Sequence, residues 1–214
     1  MFRKKKMKTL IYVLVLFSFA LSQTITIKHK LYTTTFDTIK HYPVLVEWWD
    51  YQSLLSCSSR LKRSNIFSQD PLAPSQTDLS KDYTYSGYDR GHNMPAFDNE
   101  CNHDALSECF YFSNMTPQTP SLNRGDWKDL ETYTRQMVQQ YDSIKIWCGS
   151  CDSINKIGRL TIPKTCWKVI YIKKINKYEA FIFSNDKTKK SLDLHRTTVD
   201  SITYLTKFNF TEAK

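Results

Sequence analysis

The sequence predicts an α+β domain with a largely antiparallel sheet. Strand-like segments rich in β-branched and aromatic residues recur along the chain, and one strongly amphipathic helix interrupts them, without regular βαβ alternation. The 214 residues contain no repeat and no long low-complexity tract. We therefore expect one globular domain with a proper hydrophobic core.

The first half of the chain predicts three short strands around a long loop. Residues 44–49 (Val-Leu-Val-Glu-Trp-Trp) predict a buried strand. Residues 63–82 are rich in Asp, Pro and Ser and predict an ordered loop. A short strand is expected to carry 85–89 into 90–92, and another strand is predicted at 109–113.

The segment after Gly125-Asp126 has the strongest helical pattern in the chain. Glu131 and Arg135 lie one turn apart at the edge of its apolar stripe, where a buried face would meet a cleft. The stripe consists of Trp127, Leu130, Thr134, Met137, Val138 and Tyr141.

The remaining segments complete the α+β pattern. Residues 143–148, 167–173 and 178–184 predict strands, and the apolar spacing within 199–208 predicts a closing amphipathic helix.

Residues 1–22 have the three parts of a secretory signal peptide. Five basic residues precede an apolar run from Leu10 to about Leu21, and Ala20 and Ser22 form a small-x-small cleavage site. The run is shorter than the roughly 20 residues of a spanning helix, so a permanent anchor is the less favoured alternative. We expect cleavage before Gln23, a secreted or periplasmic protein, and no stable membrane association afterwards.

The leader also carries much of the positive charge. The formal charge of +9 falls to +4 without its five basic residues. The mature chain is therefore compatible with a polyanionic partner, but its net charge is weak evidence for one.

Six cysteines follow the leader, and in an exported protein they favour disulfides over metal thiolates. They allow 15 pairings, among which Cys101 with Cys109 closes a plausible short loop. At least one of Cys148 and Cys151 is also expected in a disulfide, with Cys166 as a candidate partner.

Candidate catalytic chemistry begins at Arg90-Gly91-His92. Glycine permits a tight backbone that can aim the imidazole outward, and a neutral imidazole near pH 7 can take a proton from water. Any single histidine is more often structural, so His92 gains weight only from its neighbours in the sequence.

A second group of candidates lies at the start of the predicted helix. Asn123 offers a hard carbonyl oxygen suited to Mg²⁺, although alone it is more often a helix cap. If 123–131 were wholly helical, the two Cα atoms would lie about 12 Å apart. We therefore expect Asn123 to precede the helix and Glu131 to reach an ion through water.

Arginines and one further amide complete the candidate set. Arg135 is either an i,i+4 partner of Glu131 or a bidentate phosphate contact, and Arg63 has the same ambiguity. Asn114 alone is a common turn residue ahead of Pro117.

Three ordered blocks give these residues a common context. They are Asp89-Arg90-Gly91-His92, Asn114-Met115-Thr116-Pro117-Gln118, and Asn123 followed by Trp127, Leu130 and Glu131. Together they resemble the DNA/RNA non-specific endonucleases of the ββα-metal (His-Me finger) superfamily, which include secreted bacterial nucleases and endonuclease G. The resemblance covers most of residues 23–214.

The resemblance implies a fold, a reaction and a role for each residue. It implies a ββα-metal fold with flanking helices, a Mg²⁺ cofactor that Mn²⁺ or another divalent ion could replace, and DNA and RNA as substrates. It leaves a homodimer open. The implied roles are His92 as general base, Asn123 as direct metal ligand, Glu131 as ligand through water, Arg135 as phosphate stabiliser, and Arg63, Arg90 and Asn114 as substrate contacts.

The rival function is thiol-disulfide exchange. Trp147-Cys148-Gly149-Ser150-Cys151 resembles the active site of thioredoxin, where the motif follows a strand and opens a long helix. Gly158 and Pro163 break the sequence that follows, so we favour the nuclease and expect these cysteines to be structural.

Overall fold

The structure of the protein, a computed structural model, describes residues 24–211. The predicted leader and its cleavage point lie outside the described residues. The strands are β1 (Thr24–Lys28), β2 (Thr33–Asp37), β3 (Tyr42–Tyr51), β4 (Asp89–His92), β5 (Met115–Gln118), β6 (Ser143–Cys151), β7 (Asn155–Ile157), β8 (Leu160–Ile162), β9 (Thr165–Ile172), β10 (Lys177–Ser184) and β11 (Arg196–Thr197).

Seven of these strands form one antiparallel sheet in the order β1-β2-β3-β6-β9-β10-β11. Two smaller antiparallel pairs, β4-β5 and β7-β8, lie outside it. The predicted α+β class with a largely antiparallel sheet is confirmed.

In the described part of the chain six α-helices accompany the sheet, and four of them are only one or two turns long. None of the helices in residues 24–211 is long and apolar enough to cross a membrane. The helices are α1 (Gln52–Leu55), α2 (Pro74–Thr77), α3 (Ser80–Tyr83), α4 (His103–Glu108), α5 (Trp127–Tyr141) and α6 (Val199–Thr206).

The long helix α5 forms because its apolar stripe can be buried on one face of the sheet. Leu130 and Val138 on α5 belong to one core cluster with Ile146, Ile170 and Phe183 of the strands, and all five are fully buried. Each such side chain contributes about 1.5–3 kcal/mol by leaving water. The sheet therefore fixes which side of α5 faces inward.

The opposite face of the sheet is covered by α6 and the chain after it. Ile202 and Phe210 pack there against Trp147 and Trp167. The central strands are thus buried on both faces, which explains why they are apolar almost throughout.

The pair β4-β5 followed by α5 forms the expected ββα unit. His92, the last residue of β4, lies opposite Met115, the first residue of β5. Gly91 leaves room for the side chain of Gln118 on β5, because a Cβ at this position would lie 2.3 Å from Oε1 of Gln118.

The predicted strand at 109–113 is wrong. Cys109 ends α4, a 3₁₀ turn spans Phe112–Asn114, and the strand begins only at Met115. The strand was predicted from Phe110 and Phe112, and both side chains are buried in the core although their backbone forms turns.

The expected cysteine pairings are also wrong. Cys101 is bonded to Cys57, with a Cα–Cα distance of 5.7 Å, and Cys109 is a buried free thiol at the end of α4. The bond closes a loop across 44 residues of sequence rather than the short loop that spacing alone suggested.

Cys148, Cys151 and Cys166 are free as well. Cys148 and Cys151 are three residues apart on one strand, and this odd spacing sends their side chains to opposite faces of the sheet. Cys166 lies directly opposite Ser150, whose hydroxyl contacts its sulfur at 3.6 Å.

We expect the double variant Cys57→Ser/Cys101→Ser to lose about 2–4 kcal/mol of unfolding free energy in urea titrations, because the unfolded chain regains loop entropy. A reductant should destabilise the wild type by a similar amount and leave the double variant unchanged. The control Cys151→Ser should keep the reductant sensitivity of the wild type. A double variant that reductant still destabilises would show that the pairing is different.

Candidate active site

A cavity of about 410 Å³ lies where β4, the start of α5 and the loop carrying Arg63 meet. Six of the seven predicted site residues line it, together with two cations that the sequence did not single out. Five of its eight charged or polar lining side chains are cationic and one is acidic, so the cavity favours an anion. These eight are Arg63, Arg90, His92, Asn123, Arg124, Lys128, Glu131 and Arg135.

His92 is held between two aromatic rings at the edge of this cavity. Its ring centroid lies 5.6 Å from that of Phe67 and 5.1 Å from that of Phe110. Burial is the main cause that lowers the pKa of His92 to about 3, and the nearby guanidinium of Arg63 is the second cause. A hydrogen bond to the backbone of Arg90 raises the pKa, but by less. Nε2 has no partner among the described residues. The imidazole is therefore neutral at pH 7 and keeps a lone pair for a proton.

Asn123 lies in a π-helical turn, Leu122–Asp126, that precedes α5. Its backbone N–H donates to the carbonyl of Thr119, and its side-chain Nδ2 donates to a carboxylate oxygen of Asp89 at 2.9 Å. Asp89 also accepts two hydrogen bonds from Arg124, at 2.6 and 2.7 Å. Asp89 therefore fixes which end of the amide of Asn123 is left free.

The electrostatics of Asp89 support this arrangement. Burial raises the pKa of its carboxyl, but the hydrogen bonds from Arg124 and Asn123 outweigh burial and hold the pKa below its usual value. Asp89 is thus a stable anion that orients Asn123.

The donor set suits a hard cation that keeps most of its water. No described residue donates to Oδ1 of Asn123, so this neutral oxygen is available as a ligand. Within residues 24–211 no group of three or more His, Cys, Asp or Glu side chains is placed to hold a metal. An ion here would therefore take few protein ligands, which is the usual mode of Mg²⁺.

Glu131 and Arg135 stand one turn apart on α5, where their helical spacing predicted them. Nη1 of Arg135 lies 3.4 Å from Oδ1 of the fully buried Asp98, and Nη2 donates to Thr132. Burial raises the pKa of Glu131 to about 7, with Asp98 adding to the rise and Lys168 opposing it. The carboxyl therefore keeps its proton to a higher pH than an exposed glutamate would.

Lys168 on β9 is a wholly buried cation beneath α5. Its Nζ lies 4.7 Å from the ring centroid of Trp127 and 5.7 Å from that of Trp48, and it has no hydrogen-bond partner in the described part of the chain. The aromatic faces partly replace its lost hydration. Its charge lowers the pKa values of Glu131 and Asp98, which burial raises.

Two arginines flank His92 in different environments. Arg63 is exposed, with its guanidinium 5.4 Å from the ring centroid of Phe110. Arg90 is half-buried against the rings of Phe67 and Tyr83, at 5.2 and 5.4 Å, and its Nε has no partner among residues 24–211. The side chain of Arg63 is thus free to move towards a ligand, whereas the rings of Phe67 and Tyr83 hold Arg90 in place before any ligand binds.

Asn114 does not reach the cavity, so its expected contact with substrate needs correction. It is fully buried, and its amide donates to the carbonyls of Met94 and Cys109 and accepts from the N–H of Met94. All three bonds are 2.9 Å long. Asn114 instead holds the chain after His92 against β5.

Trp127 connects the two halves of the site. Its indole N–H donates to the backbone carbonyl of His92 at 3.1 Å, and its ring packs edge-on against Phe183. From the sequence, Trp127 was expected in the apolar stripe and in the block that begins with Asn123, but it was given no role in joining the two halves of the site. Asp89 was likewise given no role, although it is part of the quoted block around His92.

The structure excludes the rival thiol chemistry. Cys148 and Cys151 lie within a central strand, not at the start of a helix. Burial raises the pKa of each thiol to about 12, so neither carries a thiolate at pH 7.

The fold is an α+β domain in which a ββα unit, formed by β4, β5 and α5, lies beside the cavity. A solved crystal structure of EndoG in its complex with EndoGI superposes with a TM-score of 0.78, covering 86% of this chain and 84% of that one at 24% sequence identity. The expected fold is therefore confirmed.

Sequence comparisons identify the family. The DNA/RNA non-specific endonuclease family model matches residues 14–214. The mouse mitochondrial nuclease EXOG is 32% identical over 155 residues, 72% of this chain and 39% of the relative. A nuclease of Nostoc sp. is 39% identical over 92 residues, 42% of this chain and 34% of the relative.

The chain belongs to the DNA/RNA non-specific endonuclease family. It spans somewhat more than a third of the length of these two curated relatives.

Burial of His92 predicts a pH-dependent stability. An unfolded histidine binds a proton below its ordinary pKa of 6.5, but folded His92 does so only near 3. The wild type should therefore lose stability as the pH falls from 6.5, by up to about 1.4 kcal/mol per pH unit. His92→Gln should show a flatter decline in urea titrations from pH 6.5 to 4. The exposed-residue control His103→Gln should follow the wild type, and equal slopes for all three would contradict the burial effect.

Proposed function

We propose that the protein is an endonuclease that hydrolyses phosphodiester bonds of DNA and RNA with the help of Mg²⁺. The observation that carries the proposal is the composition of one cavity. It contains the neutral, buried imidazole of His92 and the amide oxygen of Asn123, whose orientation Asp89 fixes, together with five cationic side chains. A phosphodiester requires a base, a hard cation and positive charge for its hydrolysis.

The cations bind the substrate and shape its orientation. Arg63 and Lys128 are exposed and free to follow a phosphate backbone, whereas Arg90 and Arg135 are fixed by their neighbours. Arginine pairs with phosphate through two parallel hydrogen bonds, which orients the group as well as attracting it. Contacts of this kind do not read bases, so we expect little sequence specificity.

His92 acts as general base. It accepts a proton from a water molecule while the water oxygen forms a bond to phosphorus and the bond from phosphorus to the 3′-oxygen breaks. The 3′-oxygen takes a proton from solvent, and the products carry a 5′-phosphate and a 3′-hydroxyl. The depressed pKa keeps the imidazole of His92 unprotonated at neutral pH but also makes it a weaker base. The negative charge of a phosphate drawn in by Arg63 would raise that pKa again.

Asn123 would hold the divalent ion through Oδ1, and Glu131 would contact it through water. When bound, such an ion would neutralise part of the negative charge that develops on the phosphate during hydrolysis. Asp89 and Arg124 keep the amide of Asn123 in the orientation that this role needs.

We also propose that the protein acts outside the cell that makes it, after removal of residues 1–22. The disulfide between Cys57 and Cys101 supports an oxidising destination. N-terminal sequencing of protein recovered from the medium should begin at Gln23, and a retained leader would contradict export with cleavage.

His92→Ala should lower kcat on plasmid DNA and on RNA by about 10²–10⁴, because the general base is lost. The control His103→Ala removes a histidine whose side chain is 83% exposed and should keep wild-type turnover. EDTA should abolish cleavage by the wild type. Cleavage that survives EDTA, or near-normal turnover by His92→Ala, would contradict the proposed function, as would insulin reduction without nuclease activity.

Asn123→Ala should raise the Mg²⁺ concentration needed for half-maximal activity by at least about tenfold, with partial rescue at high Mg²⁺. The control Lys128→Met removes a charge from the same cavity and introduces no oxygen that could ligate an ion. It should raise KM for DNA and leave the Mg²⁺ midpoint in place. A Mg²⁺ titration of both variants measures this, and an unshifted midpoint in Asn123→Ala would place the ion elsewhere.

A further inference from the structure

A loop with three lysines follows β10, and the proposed chemistry does not use it. This lysine loop comprises residues 186–190, with the sequence Asp-Lys-Thr-Lys-Lys. Lys187, Lys189 and Lys190 are all exposed, and none of their ammonium groups forms an ion pair with a residue in the described range. Asp186 offsets one of the three charges, so the loop carries a net charge of +2.

The first half of the lysine loop is fixed to the segment that leads to Asn123. The hydroxyl of Thr119 donates to the carbonyl of Asp186 at 2.6 Å, and its N–H donates to the buried side chain of Asn185 at 2.8 Å. The hydroxyl of Ser121 donates to the carbonyl of Lys187 at 3.0 Å. These bonds fix the backbone of the loop and leave its lysine side chains free.

The second half is fixed to the π-helical turn itself. The N–H of Lys190 donates to Asp126 at 3.0 Å, and the same carboxylate oxygen lies 2.9 Å from the ring of His195. The side chain of Lys189 passes 3.9 Å from the position that a Cβ on Gly125 would occupy. Gly125 is two residues from Asn123 in the sequence, so Lys189 packs against the same turn that carries the proposed metal ligand.

The charge of the loop therefore continues the charge of the cavity. Exposed charges are largely screened from one another beyond about 10 Å at 0.1 M salt. The side chain of Lys189 lies 3.9 Å from the position of a Cβ on Gly125, on the turn that also carries Asn123. Lys128 lines the cavity beyond this turn and is also exposed. The basic surface thus extends on the Asn123 side, past the space that a single phosphodiester would fill.

We propose that the lysine loop is a second phosphate-binding surface, which holds the nucleic-acid backbone beside the bond that is cut. The inference rests on the proposed function and deepens it, since it assigns a binding site for flanking nucleotides. A duplex carries one charge per about 1.7 Å of axis, so a backbone crossing the cavity brings several phosphates near three lysines. The loop contributes affinity and length preference, while the cavity contributes the chemistry.

The consequence is measurable as salt dependence. Each phosphate contact on duplex DNA contributes about 0.9 to the slope of log affinity against log salt. Loss of three lysine contacts should reduce the magnitude of this slope by about 2–3. A short chromogenic phosphodiester such as thymidine p-nitrophenyl phosphate would not reach the loop, so its turnover should not change.

The test compares two triple variants with the same loss of charge. Lys187→Gln/Lys189→Gln/Lys190→Gln removes the loop lysines. The control changes three exposed lysines that do not line the cavity and form no ion pair with a described residue. The control variant is Lys28→Gln/Lys81→Gln/Lys156→Gln.

Binding of a fluorescent 30-base-pair duplex is measured by anisotropy in EDTA from 50 to 200 mM salt, so that the readout does not require cleavage. We expect a reduced slope for the loop variant only, with unchanged melting temperature and unchanged turnover of the short substrate. Equal slopes for the two variants would overturn the inference, as would a wild type that binds no DNA. A wild type that binds with the predicted slopes but cleaves neither substrate would overturn the proposed function and leave the loop assignment supported.

Discussion

The hydrogen bond from the indole of Trp127 to the carbonyl of His92 is the contact on which the site depends. The two residues are 35 positions apart in sequence, and both are buried, so no water can replace either partner. The bond joins the end of β4 to the first turn of α5. His92 on one side, and Asn123 and Glu131 on the other, are therefore held at a fixed separation. The sheet holds this contact in place, because it buries the apolar stripe of α5 that begins with Trp127.

Beneath that contact the protein buries more charge than a simple core would. Lys168 has aromatic faces and no hydrogen bond, while Asp98 has one weak ion pair to Arg135. Such groups favour stability only when they compensate one another, since each one left alone in the interior is strongly unfavourable. The arrangement is best understood through its effect on Glu131, whose carboxyl feels the opposing influences of Lys168 and Asp98. A stabilising apolar replacement of this layer would therefore change the electrostatics of the cavity floor.

The sequence predicted the parts of the fold that have a strong local period and the parts of the site that lie in ordered blocks. α5 and the central strands followed from apolar spacing, because each buries one or two faces along its whole length. The prediction of a strand at 109–113 was wrong because the aromatic residues of this segment belong to turns whose side chains are buried. Apolar residue types indicate burial, but they do not distinguish a buried strand from a buried turn. The bond of Cys57, the buried bonds of Asn114 and the interior position of Lys168 depend on contacts between distant segments. Residue type suggested a role for Asn114 and disulfides for the cysteines as a group, but it gave no reason to single out Lys168 or to choose Cys57 as a partner.

The π-helical turn at Leu122–Asp126 has a consequence for how this chain can vary in length. Each residue of a helix advances the chain by about 100° and 1.5 Å, and the wide turn absorbs one residue more than a regular turn would. Gly125, at φ −111° and ψ −106°, has non-helical dihedral angles and kinks the chain within this turn before α5 begins. Removing a single residue here would rotate Glu131 away from the cavity by about a quarter of a turn. It would also break the hydrogen bond from the indole of Trp127 to the carbonyl of His92. A substitution in this turn changes one side chain, as at Asn123, whereas an insertion or deletion would put the whole helix out of phase with β4.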